Sequence, residues 1–352
     1  MEKVAEFRLR MLEVPPLQDE EDFFNNDQTL VRFLKAREWN VDNAEVLLKS
    51  AVEHRRSTKP LHMDCHWCHE RSGHHSMRQV GFDESGRPVI YSSFAQASTH
   101  KNTVEDSVTH CTYLIENAKR TMALGVSTWV WVIDCSGMTL TACNPKLGYG
   151  VTQVMSNFYP ERLGLVICLN HNPLFQGVWK AIKVFLHPNT VAKMKLVRSK
   201  DKYMKLFEIY FNEELTEWLL EEIRLNKNKP LSKTQFEFWN PPVEQGTHDP
   251  RGCPSYVTKY IDTFKLTDYL CTHLPHPNIV DSKSGIVRTI SVSSEEKRER
   301  DRLLADQSGL VSAADQELTG GIHVSDDEHE DDIAELKITQ EFQIPGSVSK
   351  VS

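Results

Sequence analysis

Apolar residues recur at helical spacing along the first part of the chain, then give way to short runs that are apolar throughout. Within residues 1–24, Val4, Phe7, Met11 and Leu12 share one face of a weak helix, and Pro15-Pro16 ends it. Asn26-Asp27 stands where an N-cap is expected, ahead of TLVRFLKAREW, in which Leu30, Phe33 and Leu34 form the apolar side. Asp42 is the expected cap of a second helix, where Ala44, Leu47, Leu48, Ala51, Val52 and Arg55 follow i, i+3, i+4, i+7 spacing. The link Trp39-Asn40-Val41 is short, which predicts an antiparallel helical hairpin.

Residues 60–80 follow neither the helical nor the strand period. Beyond them, Asp83 to Gly86 reads as a turn into a strand at Pro88 to Ser92. A helix is predicted from about Val104 to Leu124. WVWVID, Trp129 to Asp134, is apolar on both faces and reads as a central strand of a covered sheet. A helix from about Leu147 to Phe158 leads to a second buried strand, LGLVICLN. Next come a helix bounded by Pro173 and Pro188, a short polar strand at Lys195 to Arg198 near a sheet edge, and helices near Lys202 to Tyr210 and Leu215 to Leu225. Alternation of strand and helix predicts an α/β fold: an N-terminal helical lobe followed by a mostly parallel sheet with helices packed on it. The expected divisions are residues 1–60, 61–228, 229–275 and 276–352. In the third, Phe236, Phe238 and Trp239 suggest a docked aromatic segment, and Tyr256 to Leu270 one more helix. The fourth is polar, carries the acidic run Asp326 to Asp332, and reads as a disordered tail.

Composition narrows the class. A net charge of −8 argues against a nucleic-acid binder. No 18-residue apolar run marks a membrane span, and the N-terminus shows no secretory h-region. The eight cysteines are scattered apart from one CxxC pair, and no Asn-x-Ser/Thr acceptor occurs; both suit a reducing, cytosolic setting.

Three stretches carry candidate chemistry. Between the prolines, Phe175, Val178, Trp179, Ile182, Phe185 and Leu186 fall on one helical face, with Lys180 opposite. Such a helix is either packed on the sheet or a movable lid over an apolar cavity, and spacing leaves both open. Glu161 in Pro160-Glu161-Arg162, with Thr190 and Lys193 one helical turn apart, could grip a polyol phosphate; a surface ion pair with a capping threonine is the other reading. Leu61 to His75 holds Cys65 and Cys68 among His66, His69, His74 and His75. Cys65, Cys68, His74 and His75 would suit tetrahedral zinc, against plain packing or a redox dithiol. No P-loop, no G-x-G-x-x-G after a strand and no G-x-S-x-G elbow is present, so catalysis is not expected.

At TLVRFLKAREW, GRPVIY, YPERLG and FLHPNTVAKM, in that order, the chain resembles the CRAL-TRIO lipid-binding family, and within it the secretory-pathway phosphatidylinositol transfer proteins, over roughly residues 28–215. The resemblance implies a sheet that floors a hydrophobic lipid cavity closed by a gating helix. It assigns the inositol headgroup to Arg37 of K-A-R-E, Glu161 of YPER, and Thr190 and Lys193 of P-x-T-x-x-K. The chain departs at Glu38, where the family pattern has a second cation. It departs again at Trp129 and Trp131, which match a Ser and a Thr in the phosphatidylcholine-exchanging members. Two indoles cannot replace two small hydroxyls around a choline phosphate, so Trp129 and Trp131 either shape the cavity for another lipid or pack the core. The implied activity is binding of phosphatidylinositol, with a second hydrophobic lipid, and its transfer or presentation between membranes without covalent chemistry. No cofactor is expected beyond bound phospholipid and, on the metal reading, zinc. The implied partners are phosphatidylinositol and other membrane lipids and a transient membrane surface; a lipid kinase or small GTPase enters on the sensor reading, and no nucleic acid is expected. Cytoplasmic location with peripheral membrane contact follows. A non-transferring sensor, or a carrier of a retinoid, tocopherol or sterol precursor, is the alternative; Arg37, Glu161, Thr190 and Lys193 favour the inositol lipid.

Overall fold

A computed structural model describes residues 2–262 apart from 66, 69–72, 98–100, 140–141, 143–144 and 185. The expected tail, and the last part of the helix expected to reach Leu270, lie outside the described residues. Helices α1 (Glu2–Met11), α2 (Asp27–Lys35) and α3 (Val41–Thr58) share one core, in which Phe7, Leu30, Phe33 and Leu48 are wholly buried. Asn26 caps α2 by accepting from the Thr29 amide. The cap of α3 is Asn40, which accepts from the Asn43 amide, and not Asp42. Asn40 keeps extended dihedrals while Val41 is already helical, so Asp42 falls in the first turn, where it pairs with Arg10. Glu38 and Trp39 both adopt positive φ, 52° and 60°, and so reverse the chain between α2 and α3.

Five strands run in spatial order β1 (Arg78–Phe82), β2 (Pro88–Ser93), β3 (Trp129–Asp134), β4 (Leu163–Leu169) and β5 (Met194–Val197). The last four are parallel, and β1 is antiparallel to β2. The sequence reading assigned no strand to β1. Its residues are polar at one end, Arg78 and Gln79, yet both are buried, so neither burial nor period can be read from residue type. The β1–β2 turn is held by Asp83, whose carboxylate accepts from the Ser85 and Arg87 amides, while Gly86 takes φ 74°. Lys195 to Arg198 was expected as the edge strand; it forms one residue earlier, and β5 does lie at an edge.

One sheet face is closed. Val130, Val132, Leu165 and Ile167 pack against Phe207 of α8 (Lys200–Tyr210) and Leu215 and Leu219 of α9 (Glu213–Leu225). Over the other face, α4 (Val104–Thr121) covers Ile90 and Trp129. The remainder of that face lies under α5 (Pro145–Phe158) and α6 (Pro173–Lys183). The short α7 (Pro188–Ala192) precedes β5; α10 (Lys233–Phe236) and α11 (Pro254–Tyr256), continued by a π turn over Val257–Asp262, come last.

Two buried ionic networks tie these layers together. Arg78 is fully buried; it donates to Glu222 at 2.8 Å, to the Pro250 carbonyl at 2.7 Å and to the Ser76 carbonyl at 2.9 Å. Its guanidinium stands 4.3 Å from the ring of Phe238, which seats the expected aromatic segment, while Phe236 stays exposed. On α4, Glu116 accepts from Arg55 of α3, Lys119 and the Tyr159 hydroxyl, each at 2.7 Å. Burial alone would raise Glu116, but the charges of Lys119 and Arg55 hold it well below the usual carboxylate range. Burial likewise opposes the charge of Glu222, and the His248 hydrogen bond and the charge of Arg78 bring it below its ordinary value.

Two outcomes are expected. Glu222→Ala leaves Arg78 buried without its partner, which costs about 3–5 kcal/mol in urea unfolding; a loss below about 1 kcal/mol would contradict the network. The second concerns acid. Both carboxyls have folded values below the unfolded one near 4.5, so their stabilisation is complete above that pH and is lost as pH falls further. The urea midpoint should therefore drop below about pH 4.5, and drop less steeply in Glu116→Gln; equal slopes in the two proteins would refute the assignment.

Candidate functional site

An apolar cavity of about 330 Å³ lies between the open sheet face and the helices α5 and α6. Strand alternation builds its floor. Trp131 and Ile133 of β3, Val166 and Cys168 of β4, and Met194 of β5 face it, while their neighbours face the closed core. Leu147, Val151 and Met155 of α5 contribute one wall. The other cover is α6, whose Phe175, Val178, Trp179 and Ile182 point inward, followed by Leu186 beyond its end. The amphipathic face read from the sequence is thus the cavity face; Phe185 lies outside the described residues.

The ends of α6 follow from local chemistry. Asn172 accepts from the Phe175 amide and Pro173 occupies the first turn, which together fix the start. The helix closes on α5 at Gly148, where a Cβ would lie 3.0 Å from Ile182 Cδ1. Its inward residues are only half-buried, and its C-cap Val184 is 71% exposed beside the exposed Lys180 and Lys183. A cover with so little buried contact is a low-stability element, the kind that opens locally before the core does.

Trp129 and Trp131 part company. Trp131 stands in the cavity, and its indole N–H donates to Ser92 Oγ at 3.3 Å. Trp129 does not line the cavity: it is fully buried with Leu114, Ile115 and Tyr159, because α4 covers that end of the same sheet face. The expectation that both shape the cavity is corrected for Trp129.

Three of the polar candidates, Glu161, Thr190 and Lys193, lie together, and no contact joins Arg37 to them among the described residues. Lys193 Nζ lies 3.5 Å from Glu161, both about one-third exposed. Lys193 is next to the cavity-lining Met194 in the chain, Glu161 comes two residues before the cavity-lining Leu163, and Thr190 lines the cavity itself. Thr190 and Lys193 belong to one turn, since the Lys193 amide donates to the Thr190 carbonyl at 3.2 Å. The turn Tyr159-Pro160-Glu161-Arg162 explains how Glu161 is aimed. Tyr159 is pinned inward by Glu116, and Arg162 donates to the Ser127 carbonyl at 2.9 Å. Between these anchors Glu161 takes φ 55°, a conformation that L-residues rarely adopt. A strained, part-exposed carboxylate held between anchored neighbours is a common mark of a functional position. Arg37 is half-buried in the α2–α3 reversal and donates to the Ala36 carbonyl. Its neighbour Glu38 reaches His187, the cap of α7, at 3.7 Å, so the reversal abuts the helix that carries Thr190.

The Cys/His stretch converges, with one change of membership. Cys65, Cys68, His75 and His110 present ligand atoms all within 4.8 Å of one another, and all four residues are buried. His74 does not join them; its ring stacks on Trp67 at 4.8 Å. The expected set is corrected accordingly, and His66 and His69 lie outside the described residues. His110 sits on α4, far along the chain, so no local spacing pointed to it.

Asp134, which ends β3, is fully engaged. It accepts from the Ser136 amide, Asn170 and Asn226, at 3.0 Å in each case. It is a buried brace at the strand ends and is not presented to the cavity.

Among the described residues no helix is long and apolar enough to cross a membrane. Residues 74–217 match the CRAL/TRIO domain and residues 3–50 the CRAL/TRIO N-terminal domain. Two CRAL-TRIO domain-containing proteins of Schizosaccharomyces pombe are similar to this chain. One is 26% identical over 58% of this chain and 21% of its own length, the other 31% identical over 49% and 41%. A phosphatidylinositol/phosphatidylcholine transfer protein of Arabidopsis thaliana is 27% identical over 61% of this chain and 37% of its own length. The chain thus spans less than half the length of each of these curated relatives. With both domains in their order on one fold, residues 3–217 carry the chain's membership of the CRAL/TRIO family.

Proposed function

We propose that this protein binds a phosphatidylinositol molecule, tails in the cavity and headgroup at Glu161, Thr190 and Lys193, and moves it between membranes without covalent chemistry. The observation that carries this reading is the polar corner at one end of an otherwise apolar cavity under a loosely held helix. An inositol phosphate offers one anionic phosphodiester and several hydroxyls. Lys193 supplies a cation for the first, and the carboxylate of Glu161 accepts from the second. The tails supply the driving force, since each methylene kept from water is worth about 0.8 kcal/mol. Relatives named as SEC14 cytosolic factors and as phosphatidylinositol/phosphatidylcholine transfer proteins are consistent with it. Trp131 fills floor space where the resemblance implies a small hydroxyl in the phosphatidylcholine-exchanging members, which favours phosphatidylinositol over phosphatidylcholine.

The exposed end of α6 is the part suited to meet a membrane. Val184 offers an apolar contact, and Lys180 and Lys183 offer charge to anionic headgroups. On this reading the location is cytoplasmic with transient membrane contact.

The expected result is transfer of labelled phosphatidylinositol between vesicles, with labelled phosphatidylcholine left at background. Lys193→Ala and Glu161→Ala should each weaken phosphatidylinositol binding by about tenfold or more. Wild-type transfer by both variants would sink the headgroup assignment. Lys180→Gln and Lys183→Gln should each slow transfer to anionic vesicles by up to about fivefold, with little change at neutral ones; an equal loss on neutral vesicles would refute the charge role.

A further inference from the structure

We propose that Cys65, Cys68, His75 and His110 bind one structural zinc ion, which fastens the segment between α3 and β1 to helix α4. The four side chains come from three places: the irregular segment, the approach to β1, and α4. Nothing in the lipid reading uses them as a group.

The geometry is that of a tetrahedral site. Bonds of about 2.3 Å to sulfur and 2.0–2.1 Å to nitrogen set sulfur–nitrogen edges at about 3.5 Å. The observed separations are 3.5 Å for Cys65 Sγ to His75 Nδ1, 3.7 Å for Cys68 Sγ to His75 Nδ1, and 3.4 Å for Cys68 Sγ to His110 Nδ1. His75 Nδ1 faces both sulfurs and Cys68 Sγ faces both rings, so the four ligand atoms gather around one point, with the His75 and His110 rings stacked 4.1 Å apart.

The surroundings prepare the ligands. His110 Nε2 lies 3.1 Å from the Met77 carbonyl, to which it donates, so Nδ1 is the ring atom turned towards the thiols. This is the second contact that a metal-binding histidine normally makes. The Cys68 amide donates to the Cys65 carbonyl at 3.0 Å, which curls the CxxC so that both thiols face inward. On binding, the two thiols give their protons to solvent; two thiolates and two neutral imidazoles then balance the ion's charge. Four protein ligands leave no open position, and all are buried, so the site is structural and not catalytic.

The site also touches the cavity, because His75 lines it along with Ser76 and Met77. Metal binding therefore fixes one wall of the space beneath α5 and α6.

The test uses the full chain, purified without added chelator. Elemental analysis should give about one zinc per chain. After removal of zinc, cobalt should restore a tetrahedral d–d spectrum with a thiolate charge-transfer band. Alkylation mapped by mass spectrometry should spare Cys65 and Cys68 until a chelator is present, and the chelator should lower the melting temperature. Cys68→Ser and His110→Ala should lose the metal, His74→Ala should keep it, and His110→Cys, which retains a four-ligand set, should keep it too. Background zinc with both thiols equally reactive with and without chelator would overturn the proposal, as would a Cys65–Cys68 disulfide in the reduced-buffer preparation. The wild-type cobalt spectrum and alkylation map need no variant to fold. They are also independent of lipid, so zinc without phosphatidylinositol transfer would fault the functional reading alone.

Discussion

The buried carboxylate of Glu116 carries more of this architecture than any other single group. A lone carboxylate at that depth would cost several kcal/mol, and its three donors come from α3, α4 and the turn that follows α5. Removing any one leaves charge or hydroxyl unsatisfied in a place water does not reach. The helical lobe, the sheet layer and the Tyr159–Arg162 turn are therefore positioned by one shared requirement. Glu161 takes its left-handed backbone between Tyr159, held by Glu116, and Arg162, held by the Ser127 carbonyl.

The second constraint concerns the sheet. Parallel strands are normally covered on both faces. Here one face is filled by α8 and α9, while the other is covered in part by α4 and in part by helices that leave space beneath them. Part of one sheet face is thus left out of the core. Arg78 and Glu222 make this affordable: they brace the β1 edge, Gln96, His248 and the segment around Phe238 against α9, so the closed face does not depend on the open one.

Much of this was legible in the chain. The strands WVWVID and LGLVICL are two-sided apolar runs, and burial on both faces is what such runs mean. The helical periods around Leu48 and Ile182 gave the right faces for the same reason. What failed did so where polar residues are buried. β1 was invisible because Arg78 and Gln79 satisfy themselves through distant partners. The cap at Asn40 was misplaced at Asp42 because either side chain can cap and only the backbone decides. Trp129 and Trp131 look alike in sequence, and only the position of α4 separates packing from lining. His110 was missed because convergence across separate segments leaves no local pattern. Glu161 and Lys193 come together in the fold, which the spacing of neither motif alone reveals, because each by itself reads as part of an ordinary ion pair.

The part-exposed pair Glu161 and Lys193 has a consequence for how bound lipid would be handled. Under the proposed reading, the tails are shut in by α6, whereas the headgroup end keeps about a third of its side-chain surface in water. Letting the tails out requires a helix to move; touching the headgroup does not. A second macromolecule could then act on the inositol ring while the acyl chains stay sheltered. Delivery and chemical modification of the same lipid would have separate barriers.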